Sequence, residues 1–239
     1  MEAIILAGGL GTRLRSRIRD VPKSMAPVVG RPFLEILLDR LIDQGCDRFI
    51  LSVGYLRQVI IDAFGEDYRG VPLRYAVEDI PLGTGGAIQL ALKHVVEPSV
   101  LVLNGDTYLD ANLAAMLSLH ASAGRPMTMA VTRVPDVARY GGVTIDEGQV
   151  TGFIEKGQFG EGWINGGVYI LDSTFPWPEN LETPFSFETD VLVPHVNQLH
   201  PAAFTCDGQF LDIGVPEDLD RAEVELTFKL SGSRDKEAR

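Results

Sequence analysis

The chain is poor in the residues on which disulfide frameworks, zinc sites and membrane spans depend. Its 239 residues include two cysteines, Cys46 and Cys206, and four histidines, at positions 94, 120, 195 and 200. We therefore predict no disulfide framework and two reduced thiols, and no cysteine stands near a histidine at zinc-ligand spacing. No segment approaches the roughly 18 consecutive apolar residues that a membrane-spanning helix needs. The N-terminus carries Glu2 and no basic region, so we expect no signal peptide, no membrane partner and a cytoplasmic protein.

Positive charge is also scarce. The formal net charge is −12 at neutral pH, which argues against nucleic acid as a partner because that partner needs a broad basic face. The composition, with 45% hydrophobic and 23% charged residues, is that of an ordinary globular protein. Against this acidic average, six of the 21 lysines and arginines fall between positions 13 and 31. They are Arg13, Arg15, Arg17, Arg19, Lys23 and Arg31.

Three common motifs for nucleotide or acyl chemistry are missing. No Gly-Lys-Ser/Thr occurs, so the chain has no P-loop. Leu14 stands where the dinucleotide-binding fingerprint needs its third glycine, which leaves a nicotinamide-dependent oxidoreductase as a weak alternative. No Gly-x-Ser-x-Gly elbow is present, so serine hydrolase chemistry has no support.

A glycine-rich segment precedes the basic cluster. Gly8, Gly9 and Gly11 follow a short apolar run that predicts a buried strand. Glycine permits a turn with positive φ and a close approach of ligand to backbone, and successive amides in such a turn form an anion-binding nest. With Arg13 and Lys23 on either side, a polyphosphate is the predicted occupant. The structural alternative is an ordinary tight turn.

Strands and helices alternate along the first half of the chain. This alternation predicts an α/β fold with a mostly parallel sheet and helices on both faces, and ligands in such sheets bind at the carboxyl ends of the strands. The predicted strands of this half are residues 4–7, 49–53, 73–77, 100–103 and 127–131, and the helices are 32–44, 56–64, 83–95 and 113–121. The second half reads as strands 143–145, 150–155, 163–171, 202–206 and 209–212, with helices 185–199 and 216–226.

The segment at 8–14, G-G-L-G-T-R-L, is followed by Pro22 and Lys23. Together they resemble the signature of the sugar-1-phosphate nucleotidyltransferases, the enzymes that make nucleotide sugars. The resemblance covers residues 1–228. It is strongest to guanylyltransferases of D-glycero-D-manno-heptose 1-phosphate, and mannose-1-phosphate guanylyltransferases are also similar. It implies a Rossmann-like, doubly wound fold of GT-A type, with GTP and a sugar 1-phosphate as substrates and Mg²⁺ as cofactor. The chain departs from the family pattern in the segment 15–20, at Gly157 and at Val215.

The resemblance implies one domain and assigns roles to individual residues. We expect a nucleotide-binding half (1–135), a sugar-binding half (136–228) and a mobile tail (229–239), and a homodimer is one candidate oligomeric state. Arg13, Lys23 and Asp106 are the implied catalytic residues. The implied nucleotide-binding residues are Leu6, Ala7, Gly8, Gly9, Gly11, Thr12, Arg13, Lys23, Glu78, Pro81, Gly83, Thr84 and Asp106. The implied sugar-phosphate-binding residues are Tyr140, Gly141, Glu155, Lys156, Asn165 and Gly166.

Two aspartates are the implied metal ligands. Asp106 follows an apolar strand, which places its carboxylate at the ligand end of the sheet, and Asp212 lies between apolar residues just before a glycine. Mg²⁺ prefers a few carboxylates together with phosphate oxygens and water. Taken singly, each aspartate is also typical of a turn.

Glu78 bears on the choice of base. Guanine presents two adjacent donors that one carboxylate accepts together, whereas uracil and thymine suit an amide side chain better. Glu78 therefore favours GTP, although a surface acid beside Asp79 is the structural alternative. A uridylyltransferase and a catalytically inactive regulatory homologue remain as further alternatives.

Overall fold

The computed structural model describes residues 1–9 and 21–237, with the backbone alone from residue 228 onwards. Its strands are β1 (Glu2–Leu6), β2 (Pro27–Val28), β3 (Arg31–Pro32), β4 (Arg48–Val53), β5 (Asp67–Tyr68), β6 (Val71–Val77), β7 (Ser99–Asn104), β8 (Thr107–Leu109), β9 (Met127–Val134), β10 (Gly142–Asp146), β11 (Gln149–Ile154), β12 (Gly162–Asp172), β13 (Ala202–Cys206) and β14 (Phe210–Asp212). Its α-helices are α1 (Phe33–Asp43), α2 (Arg57–Phe64), α3 (Gly83–Leu92), α4 (Leu113–Ala123), α5 (Val193–Leu199) and α6 (Pro216–Glu237). A short 3-10 turn spans Lys23–Met25, and a π-helical stretch, Phe187–Leu192, leads into α5.

One sheet joins both halves of the chain. Within the described residues its order is β10-β11-β13-β9-β12-β7-β1-β4-β6-β5. The neighbours β7, β1, β4 and β6 pair in parallel, as predicted for the first half. Strand β12 lies between β7 and β9 and is antiparallel to both. The α/β fold class is thus confirmed. Strand β9 departs from the expectation for the first half, because β12 of the second half separates it from β7, and β13, β11 and β10 continue the sheet beyond β9 with mixed pairing.

The central strands are buried on both faces. Along β7, Leu101 and Leu103 belong to one apolar cluster, while Val100 and Val102 belong to the other, and all four are at most 4% exposed. Alternate side chains of a strand point to opposite faces, so this continuous apolar run supplies both cores at once. Because β7 is buried on both faces, its position in the sheet is fixed. The residues that follow its carboxyl end are therefore held in a fixed place.

The C-terminal helix is longer than its apolar pattern. Helix α6 continues to Glu237, past the predicted end at residue 226. Residues 231–237 carry no apolar side chain, so the periodic signal stops before the helix does. The mobility of residues 229–239 stays a prediction.

Two further expectations concern the cysteines and the membrane. Cys46 and Cys206 are both free and buried, and burial raises the pKa of the Cys46 thiol to about 12. Among the residues that the structure describes, no helix combines the length and apolar character that crossing a bilayer requires.

Candidate active site

A cleft of about 620 Å³ opens at the carboxyl ends of β1, β4, β6 and β7. The residues there come from the loops that follow these strands, as expected for a parallel sheet. Tyr140, Lys156 and Asn165 of the second half form the facing wall. The cleft therefore lies between the two halves.

The structure brings together most of the predicted site residues. The predicted residues that line the cleft are Leu6, Gly8, Gly9, Lys23, Glu78, Pro81, Gly83, Thr84, Asp106, Tyr140, Lys156, Asn165 and Asp212. Those that lie outside its lining are Ala7, Gly141, Glu155 and Gly166. Gly11, Thr12 and Arg13 lie outside the described residues, so the role of Arg13 stays a prediction.

A short strand pair explains why the two aspartates are neighbours. Strand β8 pairs antiparallel with β14, and Thr107 lies opposite Asp212 in that register. The N–H of Ile213 donates to the carbonyl of Asp106 at 3.0 Å. Residues 106 and 212 are far apart in sequence, so this pairing, which the sequence did not predict, sets the distance between their carboxylates.

Lys23 connects the two aspartates. Its ammonium forms an ion pair with Asp106 and lies 3.6 Å from Oδ1 of Asp212. Burial raises the pKa of Asp212, an effect that Lys23 opposes and Asp106 strengthens. Two carboxylates thus converge on the position of one cation.

The donor set at this point fits a hard divalent cation. Two carboxylates are within reach of a single cation, and the described residues contain no group of three or more His, Cys, Asp or Glu side chains arranged as a closed metal cage. Mg²⁺ typically takes one or two carboxylates and completes its shell with phosphate oxygens and water. Asp106 and Asp212 are therefore suited to hold a metal that arrives with a phosphate ligand.

Arg139 and Asp218 support Asp212 from behind. Nη2 of Arg139 lies 3.2 Å from Oδ2 of Asp212, and its Nη1 forms an ion pair with the buried Asp218. The same guanidinium lies over the ring of Tyr140, 5.1 Å from its centroid. Neither residue was predicted to belong to the site, since the helix dipole alone explains Asp218 as an acid in a first helical turn.

Glu78 is held in place at the wall of the cleft. Its Oε1 accepts a hydrogen bond from the Ser52 hydroxyl at 3.1 Å, and its Oε2 accepts one from the Leu82 N–H at 3.0 Å. A Cβ on Gly8 would lie 2.8 Å from Oε1, so the backbone at Gly8 packs directly on this carboxylate. Glu78 thereby fixes the loop at 81–84 as well as lining the cleft.

The glycines at the start of α3 make room for Phe185. Gly83 has a φ of +74°, and a Cβ there would lie 2.3 Å from the carbonyl oxygen of Phe185. A Cβ on Gly85 would lie 2.2 Å from the ring of the same residue. Close packing is thus one reason for these glycines. Oγ1 of Thr84 accepts a hydrogen bond from the N–H of Phe187 at 2.8 Å, which ties the two halves together.

The sugar-side wall contains a hydrogen-bonded group of three residues, of which only Asn165 was predicted from the sequence. Nδ2 of Asn165 lies 2.6 Å from the Tyr169 hydroxyl and 3.1 Å from Oε1 of Glu188. Tyr169 and Glu188 were not predicted. Tyr169 lies in a predicted strand that is mostly apolar, and Glu188 lies in a predicted helix whose sequence gave no reason to single it out.

Arg31 does not belong to the basic group around the cleft. It forms ion pairs with Glu35 and Asp39 on α1, and Asp39 also accepts from Arg69 and Tyr68. Its charge is therefore already balanced by these carboxylates.

The chain is similar to known proteins over most of its length. The Nucleotidyl transferase family matches residues 2–228. The chain is 43% identical to a D-glycero-alpha-D-manno-heptose 1-phosphate guanylyltransferase of Aneurinibacillus thermoaerophilus, over 95% of this chain and 98% of that protein. It is also 43% identical to the enzyme of the same name from Campylobacter jejuni subsp. jejuni, over 91% and 96%.

A solved structure gives the same result for the fold. The crystal structure of HddC from Yersinia pseudotuberculosis, which was also solved complexed with GMP-PN, superposes with a TM-score of 0.81 at 38% identity. The match covers 94% of this chain and 99% of that one. The chain belongs to the nucleotidyl transferase family.

Proposed function

We propose that this protein transfers GMP from GTP to a sugar 1-phosphate, with D-glycero-α-D-manno-heptose 1-phosphate as the preferred acceptor. The products are GDP-heptose and pyrophosphate, which fits a cytoplasmic, Mg²⁺-dependent enzyme of surface polysaccharide biosynthesis. The observation that carries the proposal is the convergence of Lys23, Asp106 and Asp212 in a cleft between two halves. The two guanylyltransferases at 43% identity support the choice of substrates.

The reaction is an in-line displacement at the α-phosphorus of GTP. An oxygen of the sugar phosphate forms the new P–O bond, while the bond from the α-phosphorus to the bridging oxygen breaks and pyrophosphate leaves. A phosphate monoester with a second pKa of about 6 is already largely dianionic at neutral pH, so the nucleophile needs no general base. Catalysis then depends on positioning and on neutralising charge.

The residues of the cleft divide this work between them. Lys23 and the amides of the glycine loop bind the triphosphate, and Arg13 holds the departing pyrophosphate. Lys156, which lines the sugar side, positions the attacking phosphate as a point charge. Asp106 and Asp212 would hold Mg²⁺, which neutralises phosphate charge when it is bound.

A screen of pyrophosphate release tests the proposal. The four ribonucleoside triphosphates are each combined with the 1-phosphates of heptose, mannose, glucose and an N-acetylhexosamine, in the presence of Mg²⁺. We expect the largest kcat/KM for GTP with the heptose phosphate. A larger value with mannose 1-phosphate, or with UTP, would replace this substrate pair with that of a mannose-1-phosphate guanylyltransferase or a uridylyltransferase.

A further inference from the structure

Glu188 lies in the wall of the cleft on the side of the second half. It belongs to the π-helical stretch Phe187–Leu192, a local geometry that is rare and frequent at functional sites. Its Oε1 accepts hydrogen bonds from Nδ2 of Asn165 at 3.1 Å and from the Tyr169 hydroxyl at 3.2 Å. One oxygen of this carboxylate is therefore anchored to β12.

The groups that anchor Glu188 are themselves rigid. Tyr169 is 2% exposed and packs edge-on against Phe187, with ring centroids 5.3 Å apart. Oδ1 of Asn165 accepts from the N–H of Gly167 at 3.0 Å, which fixes the orientation of the amide. Within the described part of the chain, no hydrogen bond reaches Oε2 of Glu188. The carboxylate thus presents one occupied acceptor to the protein and one open acceptor to the cleft.

The charges nearby restrict what Oε2 can accept. Lys156 stabilises the carboxylate of Glu188, and Asp106 acts against it, so the group lies within electrostatic range of both. A phosphate would be repelled by this carboxylate, whereas a neutral hydroxyl is a suitable donor. A sugar whose phosphate lies at Lys156 would bring its hydroxyls to this wall.

We propose that Glu188 is a specificity-determining residue that accepts a hydrogen bond from a hydroxyl of the sugar 1-phosphate through Oε2. This inference rests on the proposed function and names a contact that the sequence analysis did not assign. The competing explanation is a purely structural role, in which Glu188 only anchors Asn165 and Tyr169.

Glu188→Gln separates the two explanations. The amide keeps an oxygen for Asn165 and Tyr169 but replaces the open acceptor with a donor. We expect KM for the sugar 1-phosphate to rise about tenfold to a hundredfold, the usual effect of losing a charged hydrogen bond, while KM for GTP stays within about twofold. Glu182→Gln makes the same chemical change at an exposed position outside the cleft, and it should leave both KM values unchanged.

Deoxy analogues of the sugar 1-phosphate identify the hydroxyl. One analogue should lower kcat/KM of the wild-type enzyme by about tenfold or more and should cause no further loss in Glu188→Gln. If the Gln variant does not fold, Glu188→Asp, which withdraws the carboxylate by one methylene, gives the same readout. An unchanged KM for the sugar phosphate, or an equal rise in KM for GTP, would overturn the inference while the proposed function stands. A wild-type enzyme that turns over no sugar 1-phosphate would overturn both.

Discussion

The ammonium of Lys23 forms an ion pair with the carboxylate of Asp106 at the end of β7. The same ammonium lies 3.6 Å from Asp212, so three separate segments of the chain contribute charge to one point. The carboxylates of Asp106 and Asp212 repel each other, and the cation that contacts both offsets that repulsion. In the proposed function Lys23 binds the α-phosphate, so the ammonium exchanges a carboxylate oxygen for a phosphate oxygen when the nucleotide enters.

Asp106→Asn should abolish GDP-sugar formation. The amide keeps the size of the side chain but removes the charge on which both Lys23 and the proposed metal depend. We expect kcat to fall by at least about a hundredfold in a pyrophosphate-release assay at saturating GTP, sugar 1-phosphate and Mg²⁺. Asp207→Asn is the control, because Asp207 is exposed and lies outside the cleft. Retained turnover by a folded Asp106→Asn enzyme would remove this residue from the metal site.

Glu78→Gln should reduce the preference for GTP over UTP. An amide cannot accept two donors from guanine, and it suits uracil better. We expect the ratio of kcat/KM for the two nucleotides to fall by at least about tenfold. Ser52→Ala removes one hydrogen bond to Glu78 and keeps its charge, so it should leave the ratio unaltered. If both variants changed the ratio equally, Glu78 would act by holding the loop at 81–84 and not by reading the base.

The position of Asp106 could be predicted from sequence because its cause is local. A run of four apolar residues predicts a buried strand, and the next polar residues must then lie at its end. The neighbouring position of Asp212 could not be derived in that way. It depends on β8 and β14, two strands of three residues that pair with each other in a separate two-stranded sheet.

The residues that the sequence analysis missed have partners distant in the chain. Arg139 contacts Asp212 and Asp218, and Glu188 contacts Asn165 and Tyr169, and no periodicity reports such contacts. Arg31 is a different case. Its partners Glu35 and Asp39 lie on α1, the helix that begins two residues after Arg31. These ion pairs balance the charge of Arg31 within its own part of the chain.

Asp218→Asn should weaken Mg²⁺ binding without removing a metal ligand. Asp218 holds the guanidinium that contacts Asp212, and removing its charge loosens that support. Loss of an outer-shell partner typically costs about tenfold or more in metal affinity. We therefore expect the Mg²⁺ concentration for half-maximal activity, and the Mg²⁺ dissociation constant from calorimetry, each to rise by about tenfold or more. Glu217→Gln changes an exposed acid in the same helical turn and should alter neither. Equal Mg²⁺ affinities in the wild type and Asp218→Asn would show that Arg139 does not support Asp212.

Stability should depend on pH through Glu188. Although this side chain is open to the cleft, the surrounding protein desolvates it, and burial raises the pKa of its carboxyl above the ordinary value of 4.5. The Tyr169 hydroxyl and Lys156 oppose this rise, and Asp106 adds to it. The folded state therefore holds the proton more tightly than the unfolded state, so stability falls as pH rises from the ordinary value through the raised one.

Glu188→Gln removes this titration and should therefore remove the loss of stability that the wild-type protein shows as pH rises. At pH 8 the variant should unfold at a higher denaturant concentration than the wild-type protein, because the wild type carries a desolvated charge that the amide lacks. At pH 4, below the ordinary pKa, the difference should largely disappear, since most of the wild-type carboxyl is then protonated in both states. Glu182→Gln should show no such change between the two pH values. A Glu188→Gln variant that is less stable than the wild type at pH 8 would mean that the contacts of the charged carboxylate outweigh its desolvation.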